Sequence, residues 1–181
     1  MLKVIFDALL AVGRDEVTSL CLLDLSAAFD TVDHDILIGR LLTSFGIWHS
    51  WHSIVIDIII PKGQNTVTLA GSRSNTDDDK YGVPQSSVLG PVLFPVYTVD
   101  VTAIVHQHSV GAHSYADDTQ LHISRKAEDL ESSIPHLVTC IDEINYWMSA
   151  NRLKLNMDKT QFIMLGTRQQ HVKVKRKSVS L

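Results

Sequence analysis

The stretch Ser19-Leu20-Cys21-Leu22-Leu23-Asp24-Leu25 constrains this chain more than any other, because it is apolar without alternation and has a carboxylate near its end. A continuous apolar run of this length suits a strand covered on both faces. Helical layers to cover it are legible on either side. Leu2, Ile5, Phe6, Leu9 and Leu10 follow the i, i+3, i+4, i+7, i+8 pattern of a short amphipathic helix over 2–12, which Gly13 ends. Asp33 or His34 opens a helix bearing Ile36, Leu37, Leu41, Leu42 and Phe45, stopped by Gly46. Leu130, Ile134, Leu137, Ile141, Ile144 and Met148 are spaced 4, 3, 4, 3 and 4, the strongest helical pattern of the chain. Pro135 is expected to bend that helix or delay its start, and Asn151 to end it.

The remaining segments add strands and turns. Val110 to Ile123 reads as a hairpin whose arms meet around Ala116-Asp117-Asp118-Thr119. Leu153, Leu155 and Phe162 to Leu165 read as two short strands around a polar turn at Met157 to Thr160. Between Gly90 and Val105 the sequence is apolar, with Pro91 acceptable in an opening turn and Pro95 expected to kink any helix. Trp48 to Ile60 reads as helix then strand, and Gly71 to Lys80 as a surface loop. The mixture of αβ and ββ connections predicts an α+β sandwich with an antiparallel sheet.

With 181 residues, 45% apolar and 20% charged, the chain can bury a core without metal or disulfide staples, and disorder is excluded as the main state. No run of 18 apolar residues occurs, and Asp7 interrupts the N-terminal run without a small-residue cleavage site, so neither a membrane span nor a secretory signal is expected. Cys21 and Cys140 lie in apolar segments without ligand spacing, as reduced core thiols of an intracellular protein would. Charge is uneven: residues 1–167 carry −9, and the basic tail 168–181 carries +5. A body this acidic argues against simple coating of nucleic acid, whose phosphates are bound by cations. The tail could touch a phosphate backbone, although short basic ends are usually solvated. His106, His108 and His113 lack matched acidic or thiol spacing and read as ordinary surface or loop residues, and Trp51 and Trp147-Met148 as packing residues.

Asp24, Asp117 and Asp118 are flanked by buried-type residues, where carboxylates do not serve stability. Like charges brought together cost energy unless a divalent cation screens them, and oxygen-only donors suit Mg²⁺. Such a cluster points to phosphoryl transfer with two ions roughly 3.5 to 4 Å apart. On spacing alone the alternative stays open that Asp117-Asp118 is an Asx turn and Asp24 a solvated strand-end charge.

Four segments in order, Leu22-Leu23-Asp24-Leu25-Ser26-Ala27-Ala28-Phe29-Asp30-Thr31-Val32-Asp33-His34, Gly82-Val83-Pro84-Gln85-Ser86-Ser87-Val88-Leu89-Gly90-Pro91, Tyr115-Ala116-Asp117-Asp118-Thr119 and Leu155-Asn156-Met157-Asp158-Lys159-Thr160, resemble motifs A to D of a reverse transcriptase. The wording is closest to non-LTR (LINE-type) retrotransposon polymerases, and the resemblance runs through nearly all of 1–167. It implies a palm in which Asp24 and Asp117 hold Mg²⁺ (or Mn²⁺), Leu25 offers a backbone carbonyl and Asp118 completes the acidic group. It further implies that Phe29 excludes a 2′-hydroxyl, Gln85 braces nucleotide or template, and Lys159 stands near the leaving pyrophosphate. RNA template, DNA primer and deoxynucleoside triphosphates would be the partners, in the nucleus if the family's habit holds. His34 would cap its helix or support motif A.

Ser86 stands where the family's motif B has a glycine, and Pro95 departs from its helix pattern. Basic fingers segments, a thumb and an endonuclease domain are not recognisable in the sequence. Two alternatives to an active polymerase palm follow: a truncated, inactive retrotransposon remnant, or a non-enzymatic nucleic-acid-binding module.

Overall fold

A computed structural model describes residues 2–46, 68–69, 72–73, 81–82 and 90–174. The apolar run forms an inner strand, as its composition requires. Strand β1 (Glu16–Leu23) pairs antiparallel with β6 (Asp118–Lys126) on one side and β8 (Gln161–Leu165) on the other. β5 (Gly111–Tyr115) lies outside β6, giving the order β5-β6-β1-β8. β1 starts before the apolar run because Val17 and Thr18 are also buried, and the Thr18 hydroxyl finds the Ser124 Oγ at 2.8 Å. It ends at Leu23, one residue before the carboxylate. The chain then pairs again as β2 (Leu25–Ser26) against β7 (Lys154–Leu155) in a second, two-stranded sheet.

One face of the main sheet carries the core. Cys21, Leu23, Leu121 and Ile123 alternate toward it and meet Leu137, Ile141, Ile144 and Met148. Those four lie on the long helix that the 4-3-4 spacing predicts, which we number α5 (Leu130–Ala150). Each such fully buried side chain contributes roughly 1.5–3 kcal/mol relative to exposure. Pro135 does not delay the start of α5: the helix begins five residues earlier and runs through the proline, which removes the N–H that would bond the Glu131 carbonyl. Asn151 caps the end.

The other face takes α1 (Leu2–Gly13), and here the expected orientation is corrected. Val4, Ala8 and Ala11 are buried, while Ile5, Phe6, Leu9 and Leu10 are exposed. Small side chains let the helix backbone approach the strands closely, so they form the buried face.

α2 (His34–Phe45) begins on Asp33, whose Oδ1 accepts from the N–H groups of Asp35 and Ile36 at 3.0 and 3.3 Å. It stops at Gly46 in the left-handed region. The Gly90–Val105 segment divides into α3 (Gly90–Tyr97), with Pro95 inside it, and α4 (Val101–Gln107). A short ladder pairs β3 (Thr68–Leu69) with β4 (Ser72–Arg73), so Ser72 and Arg73, inside the segment read as loop, are paired backbone. The helix-then-strand reading of Trp48 to Ile60 lies outside the described residues.

The basic segment also begins with structure. α6 (Arg168–Lys173) is opened by a reciprocal capping box of Thr167 and Gln170, and Gln170 Nε2 donates to Asp15 Oδ1 at 3.1 Å. Val174 then packs with Val17 and Leu130. Among the described residues no helix is long and apolar enough to cross a membrane.

Candidate active site

Strand register brings the motif carboxylates to one end of the sheet. Leu23 stands opposite Thr119, so Asp24, the next residue of the chain, leaves β1 beside Asp118. Tyr115 pairs with Asp118, which leaves Ala116-Asp117 as the hairpin loop. Ala116 holds φ at 52° and is buried. A left-handed alanine costs roughly 1–2 kcal/mol, strain that the paired strands hold in place. Asp117 is half-buried and Asp118 exposed.

Asp24 has two unlike carboxylate oxygens. Its side chain is 41% exposed as a whole, yet Oδ2 is closed from solvent and accepts no hydrogen bond. The Lys159 ammonium lies 3.9 Å from it, and that side chain is 71% exposed. A pair so long and so solvated contributes little. The Asp24 carbonyl accepts from the Asn156 N–H at 2.8 Å, joining motif A to motif D. Asn156 also organises the turn that carries Lys159. Its Oδ1 accepts from the Lys159 N–H at 3.3 Å, and its carbonyl from the Thr160 N–H and hydroxyl at 3.0 and 2.9 Å. Leu25 is buried and paired with Leu155.

Phe29 is half-buried, its ring 5.5 Å from that of Phe94 and tilted by 54°. Its packing partner therefore comes from α3, which follows motif B. The first residue of motif B is joined to motif A directly. The Gly82 N–H donates to the Val32 carbonyl at 2.8 Å, and His34 Nε2 donates to the Gly82 carbonyl at 2.7 Å. Gly82 has φ of +95°, and a Cβ there would lie 3.4 Å from the Asp30 carbonyl oxygen. The positive φ is what requires glycine here, since 3.4 Å is an ordinary contact distance. His34 thus ties motif A to motif B, while Asp33 rather than His34 caps the helix. Gln85 and Ser86 lie outside the described residues.

The three carboxylates share a sheet end, but their oxygens do not gather within 4.8 Å of one another. Among the described residues the His, Cys, Asp and Glu group that does is Asp7, His113 and His122. This corrects the reading of His113 as an ordinary surface residue. Its partner Asp7 is on α1 and its neighbour His122 on β6, so sequence spacing could not reveal them. His108 is likewise engaged, 2.9 Å from Glu143. The pKa of His122 is held below the usual histidine range, first by burial and then by the nearby His113.

Arg40 is a further residue that sequence reasoning missed. The guanidinium is buried between the rings of Tyr97 and Trp147, 4.9 and 4.8 Å from their centroids. It donates to the Tyr97 carbonyl, to Asn151 Oδ1 at 2.6 Å and toward Asp100 at 3.3 Å. Burial lowers its pKa, against the opposing pull of Asp100. The Tyr97 hydroxyl continues the network by donating to the Asn151 carbonyl at 2.7 Å. The α2 that follows motif A is thereby tied to α3 and to the end of α5. No sequence signal marks it beyond a lone arginine on an apolar helix face.

Comparison with known proteins agrees with this arrangement. Residues 7–179 match the family model described as reverse transcriptase (RNA-dependent DNA polymerase). The RNA-directed DNA polymerase from mobile element jockey of Drosophila melanogaster is 26% identical over 171 residues, covering 92% of this chain and 18% of that protein. The polymerase of the same name from Drosophila funebris is 28% identical over 163 residues, covering 87% and 17%. This chain therefore spans less than a fifth of the length of these curated relatives. A solved structure of apo telomerase from Candida Tropicalis, truncated from its C-terminal domain, superposes with a TM-score of 0.64 at 14% identity, covering 91% of this chain and 35% of the other. That likeness is one of fold, and it fits the α+β, antiparallel architecture expected of a polymerase palm. From its motifs, its sheet order and a family match over nearly its whole length, the chain belongs to the reverse transcriptase family.

Proposed function

We propose that the chain is the palm of an RNA-directed DNA polymerase, with Asp24 and Asp117 as ligands for Mg²⁺, Leu25 as a carbonyl ligand and Asp118 completing the acidic group. One observation carries this reading: Asp24 Oδ2 is covered and accepts no hydrogen bond, at the strand end beside the Asp117-Asp118 hairpin. An unsatisfied covered acceptor costs about 1–3 kcal/mol, and a hard oxygen donor is what Mg²⁺ takes. When bound, Mg²⁺ (or Mn²⁺) would ease deprotonation of the primer 3′-hydroxyl and offset charge on the nucleotide phosphates.

The protein's own side chains supply the rest. Phe29, propped on Phe94, is a rigid apolar wall that would reject a 2′-hydroxyl and so favour deoxynucleoside triphosphates. Lys159, on the turn built by Asn156, would meet the charge that develops on pyrophosphate as the primer oxygen bonds to the α-phosphorus. Gln85 would brace the nucleotide or the RNA template. A second reading, a relic that binds nucleic acid without extending it, draws on the distance between the three carboxylates.

Primer extension on an RNA template tests the proposal, using wild type, Asp24→Asn and Asp117→Asn, with Mg²⁺ titration calorimetry on the same samples. The expected result is metal binding and extension in wild type, both lost in each variant. No extension by wild type, with template binding that survives both substitutions, would replace it with the second reading.

A further inference from the structure

On the sheet face covered by α1, three groups converge that the polymerase reading does not use. In the β5–β6 ladder Gly111 stands opposite His122 and His113 opposite Gln120, so the two histidines are diagonal neighbours on one face. Their rings stack 5.2 Å apart and within 15° of parallel. α1 lies over them and brings Asp7 Oδ2 to 3.1 Å from His113 Nε2. One ligating atom from each of Asp7, His113 and His122 falls within 4.8 Å of the others.

Two features of His122 are unexplained by packing. Its Nδ1 is closed from solvent and has no hydrogen-bond partner. Its ring also occupies the space above Gly111, where a Cβ would come within 2.3 Å of Nε2. The hairpin therefore keeps a residue without a side chain beneath an imidazole with an unpaired nitrogen.

Two imidazole nitrogens and one carboxylate oxygen form a donor set for zinc and its first-row neighbours rather than for Mg²⁺. Tetrahedral zinc, with nitrogens at 2.0–2.1 Å, sets its donor atoms roughly 3.3 Å apart. The His113–Asp7 separation of 3.1 Å already matches this, and the third ligating atom lies within 4.8 Å of both, so it has at most about 1.5 Å to close. The His113 and Asp7 side chains are 22% and 34% exposed, which gives an ion access and leaves a fourth position for water.

We propose that Asp7, His113 and His122 form a binding site for a divalent transition ion, zinc by preference, that ties α1 to the hairpin carrying Asp117-Asp118. The site stands independently of polymerase activity.

The test is titration of Zn²⁺ into the full chain by calorimetry in excess Mg²⁺, with Co²⁺ as a spectroscopic substitute. Wild type should take one equivalent and develop visible d–d absorption of a four-coordinate site. Its melting temperature should rise by about 5 °C or more at 100-fold excess over Kd. His122→Gln and Asp7→Asn should weaken binding by at least ~100-fold, beyond the 10–100-fold typical of an outer-shell partner. Gly111→Ala keeps all three ligands but displaces the His122 ring, and should weaken binding similarly. Asp117→Asn and the exposed His106→Gln should bind as wild type does. Circular dichroism of the metal-free variants checks the fold, and Asp7→Asn, on the half-exposed helix, remains decisive if a hairpin variant unfolds. Undiminished binding in Asp7→Asn, or no binding by wild type below millimolar Zn²⁺, would overturn the proposal.

Discussion

Replacing Arg40 by methionine isolates what the guanidinium contributes, because methionine keeps an unbranched apolar stem between the Tyr97 and Trp147 rings. The Tyr97 carbonyl is wholly buried and would lose its donor, at about 1–3 kcal/mol. Asn151 Oδ1 is half-buried, so water replaces part of that bond. The two ring contacts add about 0.5–1 kcal/mol each, and the exposed Asp100 adds little. The gains sum to roughly 2–5 kcal/mol, and subtracting the desolvation cost of the charge itself leaves a loss of about 1–2 kcal/mol, or roughly 2–8 °C in melting temperature for a domain of this size. Urea unfolding followed by circular dichroism and tryptophan fluorescence measures it. Arg40→Lys should recover less than half, since an ammonium cannot span the Tyr97 carbonyl, Asn151 and Asp100 as a planar fork does. A loss under 1 kcal/mol for methionine, or lysine equal to wild type, would refute the reasoning.

Other substitutions probe the joints around the site. Gly82→Ala should cost at least about 1–2 kcal/mol by urea unfolding, because φ of +95° is closed to alanine, and it should loosen the join between motifs A and B. The buried thiols Cys21 and Cys140 are pushed up to about 12 and about 11 by burial. Their folded pKa values lie above the unfolded one, so their contribution to stability is complete below about pH 8.5 and is lost as pH rises toward 11 to 12. Stability should therefore fall above that pH. Neither thiol should react with an alkylating reagent at pH 8 until denaturant is added, and rapid native-state alkylation of Cys21 would contradict the burial.

Local signals made most of the fold legible. All six positions that the 4-3-4 spacing marks on the long helix are buried, with Ser133 and Cys140 buried between them, and Asp33 and Gly46 bound α2 as capping chemistry demands. Where the reading failed, the deciding contact was remote in sequence. The apolar stripe of α1 is the larger hydrophobic face, yet the sheet selects Val4, Ala8 and Ala11, because closeness of approach outweighs side-chain size. Arg40 is explained by Tyr97, Trp147 and Asn151, and His113 by Asp7, 106 residues away. The Thr167 to Gln170 capping box is written in the sequence, at the head of a segment whose charge alone marks it as a solvated tail. Asp24 was legible because a carboxylate inside an apolar run has no stabilising role to explain it.

Asp33 and Asp24 both follow buried residues, but Asp33 caps α2 and pairs with Arg152 at 2.8 Å, whereas Asp24 Oδ2 has a single distant, solvated cation. Removing the Asp33 carboxylate as Asp33→Ala should cost about 1–2 kcal/mol, as the loss of a helix cap does. Asp24→Asn should cost nothing in metal-free buffer and should stabilise by up to about 1 kcal/mol, since a covered neutral oxygen is cheaper than a covered charged one. The half-exposure of the side chain limits the gain. Adding Mg²⁺ should then stabilise wild type and leave Asp24→Asn unchanged, reversing the order of the two proteins. A destabilisation of Asp24→Asn by more than 1 kcal/mol without metal would mean that the carboxylate is a structural anchor. Asp24 would then be kept for stability and not for binding at its expense.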